Sequence, residues 1–268
     1  MANADTHFAG SIPALYDRCL GPLLFQPYAR AVASRARRLD PSNILETAAG
    51  TGIVTAALHE AVPEPEIVAT DLNPAMLEVA RTRVSGDNVA FQAADALDLP
   101  FGESSFDLVV CQFGGMFFPD KVRGHAEARR VLRDGGPYLC VVWDRLENNL
   151  ASDIVQRLVD SRYEEDPPRF LARTPFGYAD PAAIERDLQR AGFGKVEIET
   201  LRLESDPVEP ADAARGLVAG CPLRGEIEER DPGGLESVVQ AAADALGALG
   251  SGAQFRSTLS AHLITARK

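Results

Sequence analysis

The sequence predicts an α/β protein, a doubly wound sheet with helices on both faces. Three features lead there. Strand-like and helix-like runs alternate along residues 43–143, a Gly-rich turn joins the first pair in "ILETAAGTGIVTAAL", and carboxylates stand at successive strand ends. The first strand spans 43–47 and the first helix 52–62. A strand over 66–71 leads to a helix over 74–84, where Asn73 can cap, Pro74 takes the first helical position, and Met76, Leu77, Ala80 and Val84 follow helical spacing. Strands follow at 89–93 and 106–112. A helix over 120–133 stops at Gly135 and Gly136, and the apolar run 137–143 is the next strand. Asp180 and Pro181 open another helix, Gly192 ends it, and Val196, Ile198 and Leu201 alternate in the strand beyond. The run 255–267 reads as a closing strand. Residues 145–178 and 206–252 break the alternation; helical and loop-rich, they read as insertions over the active site.

Composition narrows the function. With 268 residues, 46% hydrophobic and 25% charged, the chain can bury one substantial core, and one domain with insertions is expected. A formal charge of -12 opposes a phosphate backbone, and no basic cluster offsets it, so nucleic acid is not an expected partner. No apolar stretch is long enough to span a membrane, and "MANADTHFAGS" has neither a basic nor an apolar leader region, so a cytoplasmic location is expected. Cys19, Cys111, Cys140 and Cys221 are too scattered to signal a disulfide framework or a zinc site. They read as reduced core residues, and no metal is expected.

The turn itself decides between cofactors. A dinucleotide fingerprint needs Gly-x-Gly-x-x-Gly, the third glycine permitting close helix–strand packing. Here Gly50 and Gly52 supply the first two, but Thr55 holds the third position. Read as Glu-x-Ala-x-Gly-x-Gly, the stretch puts Glu46 at the strand end and lets a ligand without phosphates lie flat on the backbone. Asp71, at the end of the second strand, can accept hydrogen bonds from both hydroxyls of a ribose, or cap the next helix. Asp95 follows the third strand at the same edge and reads either as a ligand contact or as a turn residue.

"ILETAAGTGIVT", "VATDLNPAMLEVAR", "FQAADALDLPFGESSFDLVVCQFGGMFFPD" and "RVLRDGGPYLCVVW" together resemble the motifs of the class I S-adenosylmethionine-dependent methyltransferases, in particular the ubiquinone and menaquinone biosynthesis group. The resemblance is dense over residues 40–145 and looser in "AGFGKVEIE" and the last strand. It implies a Rossmann-like sheet of about seven strands with helical lid insertions: an N-terminal helical cap over 1–38, a cofactor core over 39–144, lids at 145–178 and 206–252, and the remaining core at 179–205 and 253–268. It also implies S-adenosylmethionine as cofactor and S-adenosylhomocysteine as product. Glu46, Ala48, Gly50 and Gly52 would surround the methionine portion, Asp71 would take the ribose beside Leu72 and Met76, Asp95 and Ala96 would meet the adenine, and Gln112 and Phe113 would flank the sulfonium. Ala48 departs from the glycine usual there and adds a methyl group near the cofactor; Asp134 departs from a proline at a surface turn. Tyr16 and Tyr28, in a stretch like the family's leading helix, are candidates to close the site, or else belong to an amphipathic helix that packs its aromatics on the core, a reading that fits Tyr28 as well as the first.

Methyl transfer asks mainly for alignment of the nucleophile, and a base is optional. Candidate catalytic residues are Tyr16, His7, Tyr163 and Tyr178, none singled out. His125 reads as a packed core histidine; His59 and His262 read as structural, the latter on an edge-like strand. Asp166-Pro167-Pro168 mimics an amino-methyltransferase motif but lies far from the fourth strand, so it reads as a loop. Met116, Phe117, Phe176 and Tyr178 are candidates to contact an apolar or aromatic acceptor, while Arg224 either faces a carboxylate or forms a surface ion pair. The reading is a methyltransferase moving a methyl group to an oxygen, nitrogen or carbon of a small molecule. The alternative is a catalytically silent binder of the same cofactor, acting as a regulatory or scaffolding protein. Oligomeric state is not legible.

Overall fold

The computed structural model describes residues 12–250 and 252–268, so His7 lies outside the described residues. The chain opens with α1 (Ile12–Leu15), a π-helix (Tyr16–Phe25) and α2 (Gln26–Arg37). Then follow β1 (Asn43–Thr47), α3 (Ile53–Ala61), β2 (Glu66–Asp71), α4 (Pro74–Arg83), β3 (Val89–Ala93) and β4 (Leu108–Gln112). A short 3-10 turn (Gly115–Phe117) precedes α5 (Lys121–Val131) and β5 (Pro137–Trp143). Next come α6 (Leu150–Arg162), α7 (Phe170–Arg173), α8 (Pro181–Arg190) and β6 (Lys195–Glu204). The chain finishes with α9 (Pro210–Ala219), α10 (Leu223–Arg230), α11 (Leu235–Gly247) and β7 (Thr258–Arg267). Among the described residues no helix is long and apolar enough to cross a membrane.

Seven strands form one sheet in the order β3-β2-β1-β4-β5-β7-β6, a Rossmann-like arrangement. β1 to β5 run parallel and β7 is antiparallel to β5. Parallel strands covered on both faces must be apolar throughout, and β5 is buried at every position. Helix starts are set by side-chain oxygens: Asn73 accepts from Ala75 N, Asp120 from Arg123 N and Asp180 from Ala182 N. β4 begins at Leu108 rather than at 106 because Asp107 turns its carboxylate onto the N–H groups of Ser42 and Asn43. Phe106 then pairs only in a bridge with Leu132, which also ends α5 early.

The chain divides into two compact units. One comprises the segments up to Pro27, Asp144–Gly177 and Arg202–Ser260, and is mainly helical. Within it α9 packs against α11 and the π-helix. Gly216 permits the latter approach, since a Cβ there would come within 2.8 Å of Cys19 Cβ and Leu20 Cδ2. Glu226 accepts from Arg169 N, Phe170 N and Arg173, which fixes the start of α7. Asn149 exchanges two hydrogen bonds with the Ser260 backbone as a strand neighbour would. Arg224 pairs with Glu228 on the surface at 2.9 Å, the second of its two expected roles. The Asp166-Pro167-Pro168 stretch lies between α6 and α7.

The other unit comprises Tyr28–Trp143, Tyr178–Leu201 and Ala261–Lys268. Its core gathers two histidines. His262 is not on an edge: β7 lies between β5 and β6, and the ring is held by Thr200 Oγ1 at 2.9 Å and the Ala179 carbonyl at 3.1 Å. An edge-like reading followed from its place near the chain end, which does not reveal that β7 inserts inside β6. His125 is fully buried on α5, with Nδ1 3.4 Å from Tyr138 Oη. Burial lowers its pKa to about 4, with Asp187 raising and Lys121 lowering it by smaller amounts.

A histidine held neutral loses stability on acidification, because the unfolded ring protonates near pH 6.5 and the folded one only near 4. His125→Gln keeps a polar neighbour for Tyr138 and does not titrate. Between about pH 7 and about pH 5 the wild type should lose on the order of 2 kcal/mol that the variant retains. Urea midpoints at the two pH values measure it, and a stable variant that binds ligand yet has lost activity would overturn the structural role of His125.

Candidate functional site

The carboxyl edge of β1, β2 and β4 collects most of the residues that the sequence singles out. Between β1 and α3 the backbone turns left-handed three times, at Ala48 (φ 53°), Gly50 (φ 56°) and Gly52 (φ 76°). Glycine takes this conformation freely, whereas alanine pays roughly 1–2 kcal/mol. Gly52 is required for a second reason: a Cβ there would lie 2.9 Å from Ala80 Cβ, so this residue, not a third glycine, lets α3 and α4 pack closely. Gly50 faces open space within 4 Å, which leaves its backbone approachable. The turn is tied down by Ala49 N to the Thr70 carbonyl at 2.9 Å and by Arg83 Nε to the Thr51 carbonyl at 3.0 Å.

Asp71 is the clamp. Its Oδ2 accepts from Gly50 N and its Oδ1 from Asn73 N, both at 2.8 Å, so one carboxylate joins the turn after β1 to the start of α4. Burial raises its pKa while these two N–H groups lower it. Each oxygen retains a second lone pair for a ligand hydroxyl. Leu72, next in sequence, is 65% exposed, a large apolar side chain in water at the sheet edge. Met76 is buried one turn into α4. Asp95 is exposed, and its Oδ1 holds Leu97 N at 2.9 Å, consistent with the turn role; Ala96 beside it is half-buried.

Glu46 ends β1 with its side chain almost wholly buried. Thr55, fully buried on α3, donates its hydroxyl to Glu46 Oε2 at 2.6 Å. Burial pushes the Glu46 pKa up to about 8; the Thr55 hydrogen bond lowers it, and Cys111 and Asp71 raise it further.

The segment after β4 completes the edge. Phe113 is left-handed (φ 56°), and its ring stacks on Trp143 at 3.8 Å. Tyr28 meets both rings edge-on at 5.4 and 5.5 Å and donates its hydroxyl to the Leu201 carbonyl, so it is a core residue. Gly114 sits against Ala48: a Cβ on Gly114 would collide with the Ala48 methyl. The extra methyl of Ala48 is thus matched by the missing one at Gly114. Gln112 is half-buried, Met116 buried and Phe117 half-buried.

The remaining candidates have partners within their own units. Tyr16 stacks on Phe25 within the π-helix, Tyr163 donates to Asp231 at 3.4 Å, and Phe176 is buried; all three belong to the helical unit. Tyr178 belongs with the sheet, but its hydroxyl donates to Asp187 at 3.0 Å and its ring lies 5.0 Å under Lys121 Nζ. Burial pushes that phenol well above its ordinary range, and the neighbouring Asp187 raises it further. Sequence reasoning weighed Thr55 only as the missing third glycine and did not connect it with Glu46. The only signal was a hydroxyl nine residues after Glu46.

A carboxyl whose folded pKa exceeds its unfolded one favours folding most at low pH, and that advantage is lost as pH rises from 4.5 to about 8. Relative to Glu46→Gln, the wild type should lose about 2 kcal/mol between about pH 6 and about pH 8 in urea denaturation. Parallel pH curves for the two proteins would mean that Glu46 is ionised in the free protein.

The methyltransferase-domain family matches residues 44–136. A demethylmenaquinone methyltransferase of Deinococcus radiodurans is 39% identical over 124 residues, 46% of this chain and 52% of that protein. The Clavibacter sepedonicus enzyme of that name is 36% identical over 174 residues, 59% of this chain and 68% of that one. The chain thus spans about half the length of the first relative and about two thirds of the second. Among solved structures, the YcgJ protein from Bacillus subtilis is similar in fold, with a TM-score of 0.59 at 19% identity, covering 90% of this chain and 98% of that one. The chain belongs to the S-adenosylmethionine-dependent methyltransferases, in the group of the menaquinone biosynthesis enzymes.

Proposed function

We propose that the edge formed by β1, β2 and β4 binds S-adenosylmethionine, and that the chain transfers its methyl group to a small apolar aromatic acceptor. The observation that carries the reading is the turn at 48–52, left-handed at three residues, clamped by Asp71 and open above Gly50. The residues present fit the cofactor. Glu46 offers a carboxyl to the ammonium of the methionine portion, Gly50 and Gly52 an approachable backbone, and Asp71 spare lone pairs to the ribose. Exposed Leu72, with Met76 behind it, offers an apolar wall to the adenine, and Asp95 and Ala96 complete that side.

The cofactor, when bound, supplies a methyl group on a positively charged sulfur. The protein's part is alignment, which is worth roughly 7–11 kcal/mol of barrier when a nucleophile is held in line. Gln112 and Phe113 stand where the sulfonium would come. The left-handed backbone at Phe113 commits its ring to Trp143, so the wall there is rigid. Met116 and Phe117 give the acceptor side an apolar lining, which supports an aromatic ring as substrate. The relatives' names make a demethylated quinol the first acceptor to assay.

Thermal shifts with S-adenosylmethionine, S-adenosylhomocysteine and NAD test the cofactor. A ligand at about 100 times its Kd adds roughly 2.7 kcal/mol, a shift of several degrees. The two adenosyl ligands should stabilise and NAD should not; stabilisation by NAD alone would sink the reading. With labelled cofactor, label should pass to a short-chain demethylated quinol. Tight cofactor binding without turnover across an acceptor panel would favour a silent binder instead.

Asp71→Asn should weaken S-adenosylhomocysteine binding at least tenfold, about 1.4 kcal/mol, by removing the charge that the ribose hydroxyls meet. Because Asp71 also clamps two backbone N–H groups, part of the loss arises from a looser turn. Calorimetric titration measures it, and unchanged affinity would displace the ribose contact to another residue.

A further inference from the structure

Thr55 stands where a dinucleotide fold would place its third glycine, and it is fully buried with its hydroxyl 2.6 Å from Glu46 Oε2. No hydrogen bond engages Glu46 Oε1 among the described residues. The carboxyl is therefore held by one oxygen only, at the end of β1, the strand that leads into the turn with the open backbone of Gly50. A hydroxyl can donate to a carboxyl oxygen in either charge state, so Thr55 orients the group without deciding its protonation.

We propose that Thr55 is a positioning residue for the cofactor: it pins Oε2 of Glu46 so that Oε1 meets the ammonium of the methionine portion, and Glu46 releases its proton to solvent as that ammonium arrives. The inference rests on the cofactor reading above. The step balances: a neutral carboxyl and an ammonium become a carboxylate–ammonium pair plus one proton in water. Charge pairing with an ammonium favours the carboxylate, as a neighbouring cation always does. The groups that act on the carboxyl are Thr55 on α3, which donates to it, and Cys111 on β4 and Asp71 on β2, which act through space; none of them is a cation. Burial accordingly keeps the proton on Glu46 at neutral pH until a cation comes.

Calorimetric titration of the full chain with S-adenosylhomocysteine, in two buffers of different ionisation enthalpy, counts the protons exchanged. At about pH 6 and about pH 7 an α-ammonium stays charged. The wild type should release about one proton per ligand, with affinity rising about tenfold between the two pH values. Glu46→Gln should bind with no proton release and no pH dependence over that range. Thr55→Val should bind about tenfold more weakly at about pH 7 while still releasing a proton, and Thr55→Ser should recover the wild-type affinity. Wild-type binding with no proton release would overturn this inference and leave the cofactor reading standing. So would wild-type affinity in Thr55→Val. Should Thr55→Val fail to fold, the proton count in the wild type and in Glu46→Gln decides the question. No binding of S-adenosylhomocysteine by the wild type would sink both proposals.

Discussion

Everything at the carboxyl edge depends on one carboxylate accepting two backbone N–H groups. Asp71 reaches from the end of β2 to Gly50 on one side and Asn73 on the other. The five-residue connection has three left-handed positions, and such backbone costs conformational energy wherever it is not glycine; Asp71 holds its centre, between the ties at Ala49 N and the Thr51 carbonyl. With the turn held, Gly52 can sit against Ala80, which brings α4 close to α3. Asn73, placed by the same carboxylate, is then free to cap α4 through Ala75 N. The residue that fits a ribose is thus also the residue that shapes the surface on which the ribose would rest.

A second constraint runs from that turn to the segment after β4. Ala48 pushes its methyl group toward Gly114, and Gly114 is the only residue type that could stand there. The neighbour Phe113 is left-handed and locked against Trp143 and Tyr28. Two loops from different strands are therefore fitted to each other before any ligand arrives. Preorganisation of this kind is what alignment-driven catalysis needs, because a loop that must first be ordered subtracts its ordering cost from binding.

The sheet was largely legible because its strands are short, apolar and bounded by caps. β1, β2, β3 and β5 coincide with the runs 43–47, 66–71, 89–93 and 137–143, and Asn73, Asp120 and Asp180 are oxygen caps of the ordinary kind. The position of β7 was not legible, since an inserted antiparallel strand is decided by long-range pairing that no local pattern carries. The π-helix over Tyr16–Phe25 was equally hidden: its apolar residues read as an amphipathic helix whichever carbonyl each N–H selects. Of the candidate site, the turn glycines and the carboxylates at the strand ends could be located because their conformational and hydrogen-bonding roles are restricted. The sequence left Tyr28 open between closing the site and packing on the core, and only its contacts with Phe113, Trp143 and the Leu201 carbonyl decide for packing. The partner of the Tyr178 hydroxyl, Asp187, was hidden because a phenol looks the same in sequence whatever it donates to. The tie between Thr55 and Glu46 escaped too, as a threonine in an apolar helix suggests packing.

Glu46 shows why a site of this kind can be costly to the empty protein and still be kept. A buried carboxylate without a cation is unfavourable, and burial accordingly raises the Glu46 pKa while Thr55 supplies one hydrogen bond. Replacing the carboxyl and the Thr55 hydroxyl together by apolar groups of equal size would remove the desolvation penalty without orphaning a buried partner, and the fold would gain. What it would lose is discrimination. A pocket lined only by apolar groups and backbone binds a thioether nucleoside with or without an amino acid attached, whereas a buried acid that can become a carboxylate rewards only a ligand carrying a cation. On the proposed reading, the local rule that charges avoid interiors is broken at the end of β1, where breaking it would separate adenosine compounds that carry an ammonium from those that do not.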